Sequence, residues 1–139
     1  MADLRVAIFP EERQDNPYLN QIKTGLRQAG VEIAQGNHDY LSSGWLWANR
    51  GKIQVLHFQW LQYHYVREEQ QADWSLVVKF TLKLAMARLL GYRIVWTMHN
   101  LLPHERSQPA LADVIVRRLV AKLAQAVIVH CLAAQRQLA

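Results

Sequence analysis

Short runs of apolar residues alternate along the chain with segments whose apolar residues recur every three or four positions. The runs cover residues 4–9, 31–35, 53–58, 92–98 and 126–130. Each has the length of a buried strand, and no tight hairpin sequence joins two neighbouring runs. This alternation predicts βαβ units. We therefore expect an α/β domain with a Rossmann-like, open parallel sheet of about five strands and helices on both faces.

Capping residues and glycines bound the predicted helices. Asn16 and Pro17 suit the N-cap and the first position of a helix, and its apolar stripe comprises Leu19, Ile22, Leu26 and Ala29. A short helix capped by Ser43 and a long helix over residues 75–90 are predicted next. The helix stops are glycines, which adopt the left-handed conformation easily: Gly30, Gly51 and Gly91.

The last part of the chain predicts one more full helix. It spans residues 110–125, and its apolar stripe comprises Ile115, Leu119 and Leu123, with Val116 and Val120 beside them. Residues 59–73 predict a loop or a short irregular helix, residues 101–109 a loop, and residues 131–139 the beginning of a further helix.

Length and composition indicate one soluble domain over residues 1–139. Hydrophobic residues make up 51% and charged residues 19%, which excludes a disordered chain. Cys131 is the single cysteine, so an internal disulfide and a cysteine-built zinc finger are excluded. The sequence has no apolar stretch of membrane-spanning length and no secretion signal at its start. We therefore expect a cytoplasmic protein.

The net charge of +5 favours anionic partners. Arg117 and Arg118 are the only adjacent basic pair, and this dispersion argues against nucleic acid, which binds clustered Lys and Arg. An ordinary solvated surface is the alternative. An anionic membrane surface remains as a partner, with the protein peripheral at its inner face.

Histidines cluster where a ligand of such a sheet is expected. Ligands bind at the carboxyl ends of parallel strands, which here follow positions 9, 35, 58, 98 and 130. His57, His99 and His130 lie at or just past three of these ends. Imidazole suits proton transfer and polar ligand contacts. A buried or capping role, bonded to backbone, is the alternative for each histidine.

Other chemistries have weaker support in the sequence. A metal site could use His57, His64, His99, His104 and Glu105, but no pair has the helical spacing of a zinc site. Cys131 has no base beside it and suits a packing role. The first loop, PEERQDNP, is not a GxGxxG fingerprint, and the chain has no P-loop. The aromatics Trp45, Trp47, Trp60, Tyr63, Tyr65 and Trp74 suit either sugar and membrane contacts or core packing.

Three strand-end motifs carry a family resemblance. They are W-T-M-H-N-L-L-P-H-E at residues 96–105, V-L-H-F-Q-W at residues 55–60 and A-V-I-V-H-C at residues 126–131. With them, the chain resembles the N-terminal domain of GT-B-fold glycosyltransferases. It looks most similar to the retaining, family 4-like enzymes of polysaccharide and glycolipid assembly. The resemblance covers nearly the whole chain, including the Asn16-Pro17-Tyr18 helix opening.

The resemblance implies an acceptor-binding half of a cleft. His99 matches the histidine that faces the reaction centre, and it is the expected catalytic residue. The expected acceptor-binding residues are Asn16, His57, Trp60, Asn100, His104, Glu105 and His130. The acceptor is a saccharide or a lipid-linked saccharide. The nucleotide sugar is a substrate held by a second domain, and the resemblance implies no metal and no cofactor.

Two departures from the family pattern limit these expectations. The first loop lacks the paired glycines that many members use near the donor phosphates. The chain also stops at Ala139, before any donor domain with a paired-glutamate motif. We therefore expect a fragment of a longer enzyme that is inactive alone. The alternative function is a non-catalytic Rossmann-like module that binds a partner or a membrane through its aromatic loops.

Overall fold

One sheet of five strands runs through the part of the chain that the computed structural model describes, which is residues 4–11, 16–35, 40–67, 72–99 and 111–130. The strands are β1 (Arg5–Phe9), β2 (Glu32–Ile33), β3 (Val55–Phe58), β4 (Arg93–Met98) and β5 (Ala126–Val129). Their order in the sheet is β2-β1-β3-β4-β5, and every pair is parallel. The predicted Rossmann-like parallel sheet is confirmed.

Within the described ranges, four α-helices connect these strands. They are α1 (Pro17–Gln28), α2 (Ser43–Asn49), α3 (Trp74–Leu89) and α4 (Leu111–Leu123), and a 3-10 helix occupies Leu61–His64. The 3-10 helix is the short irregular helix that the mixed composition of residues 59–73 allowed. The predicted loop at residues 101–109 and the predicted helix at residues 131–139 lie outside the described residues.

The helices cover both faces of the sheet, as predicted. Successive strand residues point to opposite faces, so Val6 and Ile8 pack against Leu19 of α1, whereas Ala7 and Phe9 pack with α2, α3 and α4 on the other face. Burial of these two apolar layers is the main source of stability. The face covered by α1 is called the α1 face below.

Local signals define the helix ends. Oδ1 of Asn16 accepts a hydrogen bond from the Tyr18 backbone N–H at 3.0 Å, which caps α1. Oδ1 of Asp73 caps α3 through the backbone N–H groups of Ser75 and Leu76. The predicted stops Gly30, Gly51 and Gly91 all have positive φ, between 75° and 89°.

Three details of the sequence interpretation are wrong. The strand predicted over residues 31–35 has only two residues, because it pairs with β1 alone at the sheet edge. Ser42 rather than Ser43 caps α2, through the Trp45 N–H. In α4, Ile115 is exposed while Val116 and Val120 are fully buried. The side of the helix that carries these two valines faces the core.

The helices of the described residues are too short or too polar to cross a bilayer.

Candidate functional site

Polar side chains replace apolar ones on the α1 face where β3 and β4 end. On this face, Val55 of β3 and Val95 of β4 belong to the apolar cluster. Two positions later on each strand stand His57 and Thr97, and two positions later again stand Gln59 and His99. The parallel register pairs His57 with Val95 and Phe58 with Trp96, so both polar rows reach the same carboxyl edge of the sheet.

A continuous chain of hydrogen bonds links the two strands at this edge. Nε2 of His57 lies 2.8 Å from Oγ1 of Thr97 and 3.0 Å from Nε2 of Gln59. Oε1 of Gln59 lies 2.8 Å from Nε2 of His99. Gln59 is the central member and is only 1% exposed, so its amide has little freedom to take other partners.

The orientation of the Gln59 amide determines which ring nitrogen carries the proton in neutral His57 and in neutral His99. Its nitrogen can only donate, so Nε2 of His57 accepts and the ring proton is on Nδ1. Its oxygen can only accept, so Nε2 of His99 carries the proton and donates. Nδ1 of His99 is therefore left as a hydrogen-bond acceptor. A ligand group that binds this nitrogen must be a donor, such as a hydroxyl.

Aromatic rings enclose His99. The Trp60 indole stacks on the imidazole with ring centroids 4.7 Å apart, and Tyr18 meets it edge-on at 4.5 Å. His130, at the end of β5, has its ring centroid 5.2 Å from that of His99. These contacts hold the imidazole in one orientation beside an indole, although His130 itself is exposed.

Two histidines of the site are uncharged at neutral pH. Burial lowers the pKa of His57 to about 4, and the neighbouring His99 adds to this effect. Burial also lowers the pKa of His99 to about 4, and His130 contributes further. Protonation of one ring disfavours protonation of the next. His57 and His99 therefore offer neutral hydrogen-bonding groups, which suit hydroxyls better than they suit anions.

The structure brings together half of the eight residues predicted for the site. His57, Trp60, His99 and His130 lie at one edge of the sheet. Asn16 is two residues before Tyr18, and the structure shows its side chain as the N-cap of α1. The remaining predicted residues, Asn100, His104 and Glu105, lie outside the described residues.

His64 does not belong to this edge. It follows β3 in the sequence, yet it packs on the opposite face of the sheet, stacked on Phe80 with ring centroids 4.5 Å apart. The turn through the 3-10 helix carries it there. His64 therefore cannot share a metal ion with His57 and His99, and the other two residues of that alternative, His104 and Glu105, lie outside the described residues. Within the described ranges, no three His, Cys, Asp or Glu side chains form a metal-binding group.

Sequence reasoning missed Tyr18, Gln59 and Thr97 as members of the site. The period-two alternation along β3 and β4 was the available signal, because a polar residue at every second position after Val55 and Val95 marks one face. Tyr18 had no such signal, since only the packing of α1 on the sheet brings its ring to His99.

The aromatics divide between core and surface. Tyr65 is buried and its hydroxyl donates to Oδ1 of Asp113 at 2.6 Å, and Trp45 packs against the core. Trp47 and Trp74 are more than half exposed. The guanidinium of Arg50 lies 4.0 Å above the Trp47 ring. Core packing is therefore confirmed for Tyr65 and Trp45, whereas sugar or membrane contacts of the exposed Trp47 and Trp74 stay a prediction.

No protein-family model matches the chain, and searches of curated proteins and of solved structures found no significant similarity. The resemblance to GT-B-fold glycosyltransferases stays a prediction.

Proposed function

We propose that this chain is the acceptor-binding half of a glycosyltransferase. The enzyme would move a sugar from a nucleotide-sugar donor to a saccharide or lipid-linked acceptor in polysaccharide or glycolipid synthesis. The observation that carries the proposal is the position of His99. It follows β4 within the W-T-M-H-N motif and is held by Gln59 and Trp60 at the ligand-binding edge of the sheet.

The chemistry of the edge supports a sugar ligand. Nδ1 of His99 accepts a hydrogen bond and suits a hydroxyl donor. The indole of Trp60 supplies an apolar surface with a polar N–H, which suits a ring that is apolar on one face and hydroxylated at its rim. His57 and His99 are uncharged near neutral pH, so these two residues offer no attraction to a phosphate.

In the proposed reaction, His99 binds a hydroxyl of the transferred sugar or of the acceptor close to the anomeric carbon. Orientation of the two substrates and stabilisation of developing charge would supply most of the rate. The donor diphosphate would be bound by a second domain. The proposal includes no metal and no cofactor, and it places the protein at the inner face of an anionic membrane, where lipid-linked acceptors reside.

Binding of saccharides tests the site. The protein is ¹⁵N-labelled and titrated with soluble mono- and oligosaccharides and alkyl glycosides, and its five indole N–H signals are followed by NMR. We expect weak binding, with a Kd of roughly 1 mM, that shifts the Trp60 signal. His99→Ala should abolish the shift. The exposed Trp47 provides the control, because Trp47→Phe should leave the Trp60 shift intact.

Turnover tests the transferase assignment. In the enzyme that contains both halves of the cleft, His99→Ala should lower kcat/KM about 10²- to 10⁴-fold with a melting temperature close to that of the parent. Normal turnover in this variant, or activity lost only through unfolding, would contradict the catalytic role. Saccharide binding at Trp60 without any transfer would favour the alternative, a non-catalytic binding module.

A further inference from the structure

An apolar row lies on the outer side of α3, away from the core. The helix packs on the sheet through Val77, Phe80, Leu84 and Ala87. On the other side, side chains at steps of four and seven residues are exposed: Trp74 by 51%, Val78 by 55%, Leu82 by 64% and Leu89 by 88%. Ala85 is exposed between them. The row of Trp74, Val78, Leu82, Ala85 and Leu89 is called the outer α3 row below.

The outer α3 row is too regular to be scattered surface residues. At 100° per residue, its five members fall within an arc of about 80°. The helix is about 24 Å long at 1.5 Å per residue, so the row is a continuous apolar strip rather than isolated contacts. Single exposed apolar residues need no explanation, whereas a contiguous strip marks an interaction surface.

Cationic side chains flank this strip, and α3 contains no carboxylate. By the same rotation, Lys79 lies on one side of the outer α3 row and Arg88 on the other. Lys79 and Arg88 are exposed. An apolar strip bordered by Lys and Arg, with Trp at one end, is the pattern of a helix that lies in the plane of an anionic membrane.

The charge distribution also distinguishes a membrane from a second copy of the chain. Pairing two α3 helices through the outer α3 row would bring the flanking cations of both copies together, and α3 offers no acidic residue to pair with them. Like charges held side by side destabilise such an interface. Anionic headgroups would pair with the same cations, each worth about 1 kcal/mol near the surface.

We propose that the outer α3 row is a membrane-docking surface that inserts its apolar side chains between the headgroups of an anionic lipid leaflet. Lys79 and Arg88 bind the lipid phosphates. The inference rests on the membrane partner of the proposed function but not on glycosyl transfer. It gives that partner a defined surface, on the opposite side of the sheet from His99 and Trp60.

Vesicle sedimentation tests the proposal. The protein is mixed with vesicles of phosphatidylcholine alone or of phosphatidylcholine with phosphatidylglycerol, and the bound fraction is measured. We expect binding only to the vesicles that contain phosphatidylglycerol. Leu82→Gln and Leu89→Gln should each weaken binding roughly tenfold through lost apolar burial. Lys79→Glu should weaken it at least fivefold and reduce its dependence on salt.

Leu111→Gln is the matched control, because Leu111 is 66% exposed on α4 and lies outside the outer α3 row. It should bind vesicles like the parent. Since Leu82 and Leu89 are also exposed, their variants should keep the parent melting temperature. The blue shift of Trp74 fluorescence, taken as the difference between the parent and Trp74→Phe, reports its insertion into lipid.

Three results would overturn the proposal. They are no binding of the parent to either vesicle, equal loss of binding in Leu111→Gln and Leu82→Gln, and a dimer of the parent in sedimentation velocity that Leu82→Gln dissociates. Saccharide titration without lipid separates this test from that of the proposed function. Leu82→Gln should still show the Trp60 shift, whichever way the vesicle result falls.

Discussion

Acid should destabilise this protein through two buried histidines well before its carboxylates are protonated. His57 is 6% exposed and His64 is 8% exposed. Burial lowers the pKa of His57 to about 4, with His99 as a second cause, and that of His64 to about 3, with Lys83 as a second cause. In the unfolded chain both should titrate near 6.5.

The direction of the pH effect on stability follows from proton uptake. Between about pH 6.5 and pH 4 the unfolded chain binds protons at these histidines and the folded chain does not, so the free energy of unfolding falls as pH falls. At about pH 5 each histidine lies about 1.5 pH units below its unfolded pKa, which is worth about 2 kcal/mol per residue. The pair therefore removes about 4 kcal/mol between pH 7.5 and pH 5, a large share of the 5–15 kcal/mol typical of a domain.

His64→Phe isolates one of the two contributions. His64 lies among the rings of Phe9, Phe58 and Phe80, and among the described residues its buried Nε2 has no hydrogen-bond partner. A phenyl ring suits these surroundings and cannot take up a proton. The variant should therefore lose about 2 kcal/mol less stability than the parent over the same pH range.

Urea unfolding monitored by tryptophan fluorescence, repeated at several pH values, measures this difference. At about pH 8 residue 64 is uncharged in both the parent and the variant, so the difference in their free energies of unfolding reports packing. The change of that difference toward pH 5 reports the titration of His64. The reasoning is refuted if the parent is equally stable at both pH values, or if His64→Phe loses as much stability as the parent.

Three further outcomes follow from single contacts. Gln59→Leu should lower the free energy of unfolding by about 1–3 kcal/mol in urea, and the ¹⁵N spectrum of His99 should change from one tautomer to a mixture; an unchanged tautomer would contradict the role of the amide. Tyr65→Phe removes the buried bond to Asp113 and should cost about 1–3 kcal/mol by the same assay, whereas no loss would mean that the bond adds nothing. Asn16→Ala removes the cap of α1 and should cost about 1 kcal/mol, while Asn16→Ser should restore most of it in thermal unfolding.

The sequence by itself determined the strand-helix alternation and therefore the parallel sheet. A continuously apolar run such as residues 92–98 is typical of a strand that is buried on both faces. Glycines such as Gly30 end helices through a backbone conformation that other residues rarely adopt. Both signals are local, so they are readable without the fold. The convergence of His57 and His99 was also predictable, because parallel strands end at one edge.

Only the tertiary structure decided which side chains share a face across elements. The register between β3 and β4 places Thr97 and Gln59 within one chain of hydrogen bonds, and the 3-10 helix carries His64 away from it. On α3, nearly every residue is apolar or a good helix former, so periodicity could not tell the buried arc from the exposed one. Packing against the sheet settled that question, since it covers Phe80 and Leu84 and leaves Leu82 and Leu89 in contact with solvent.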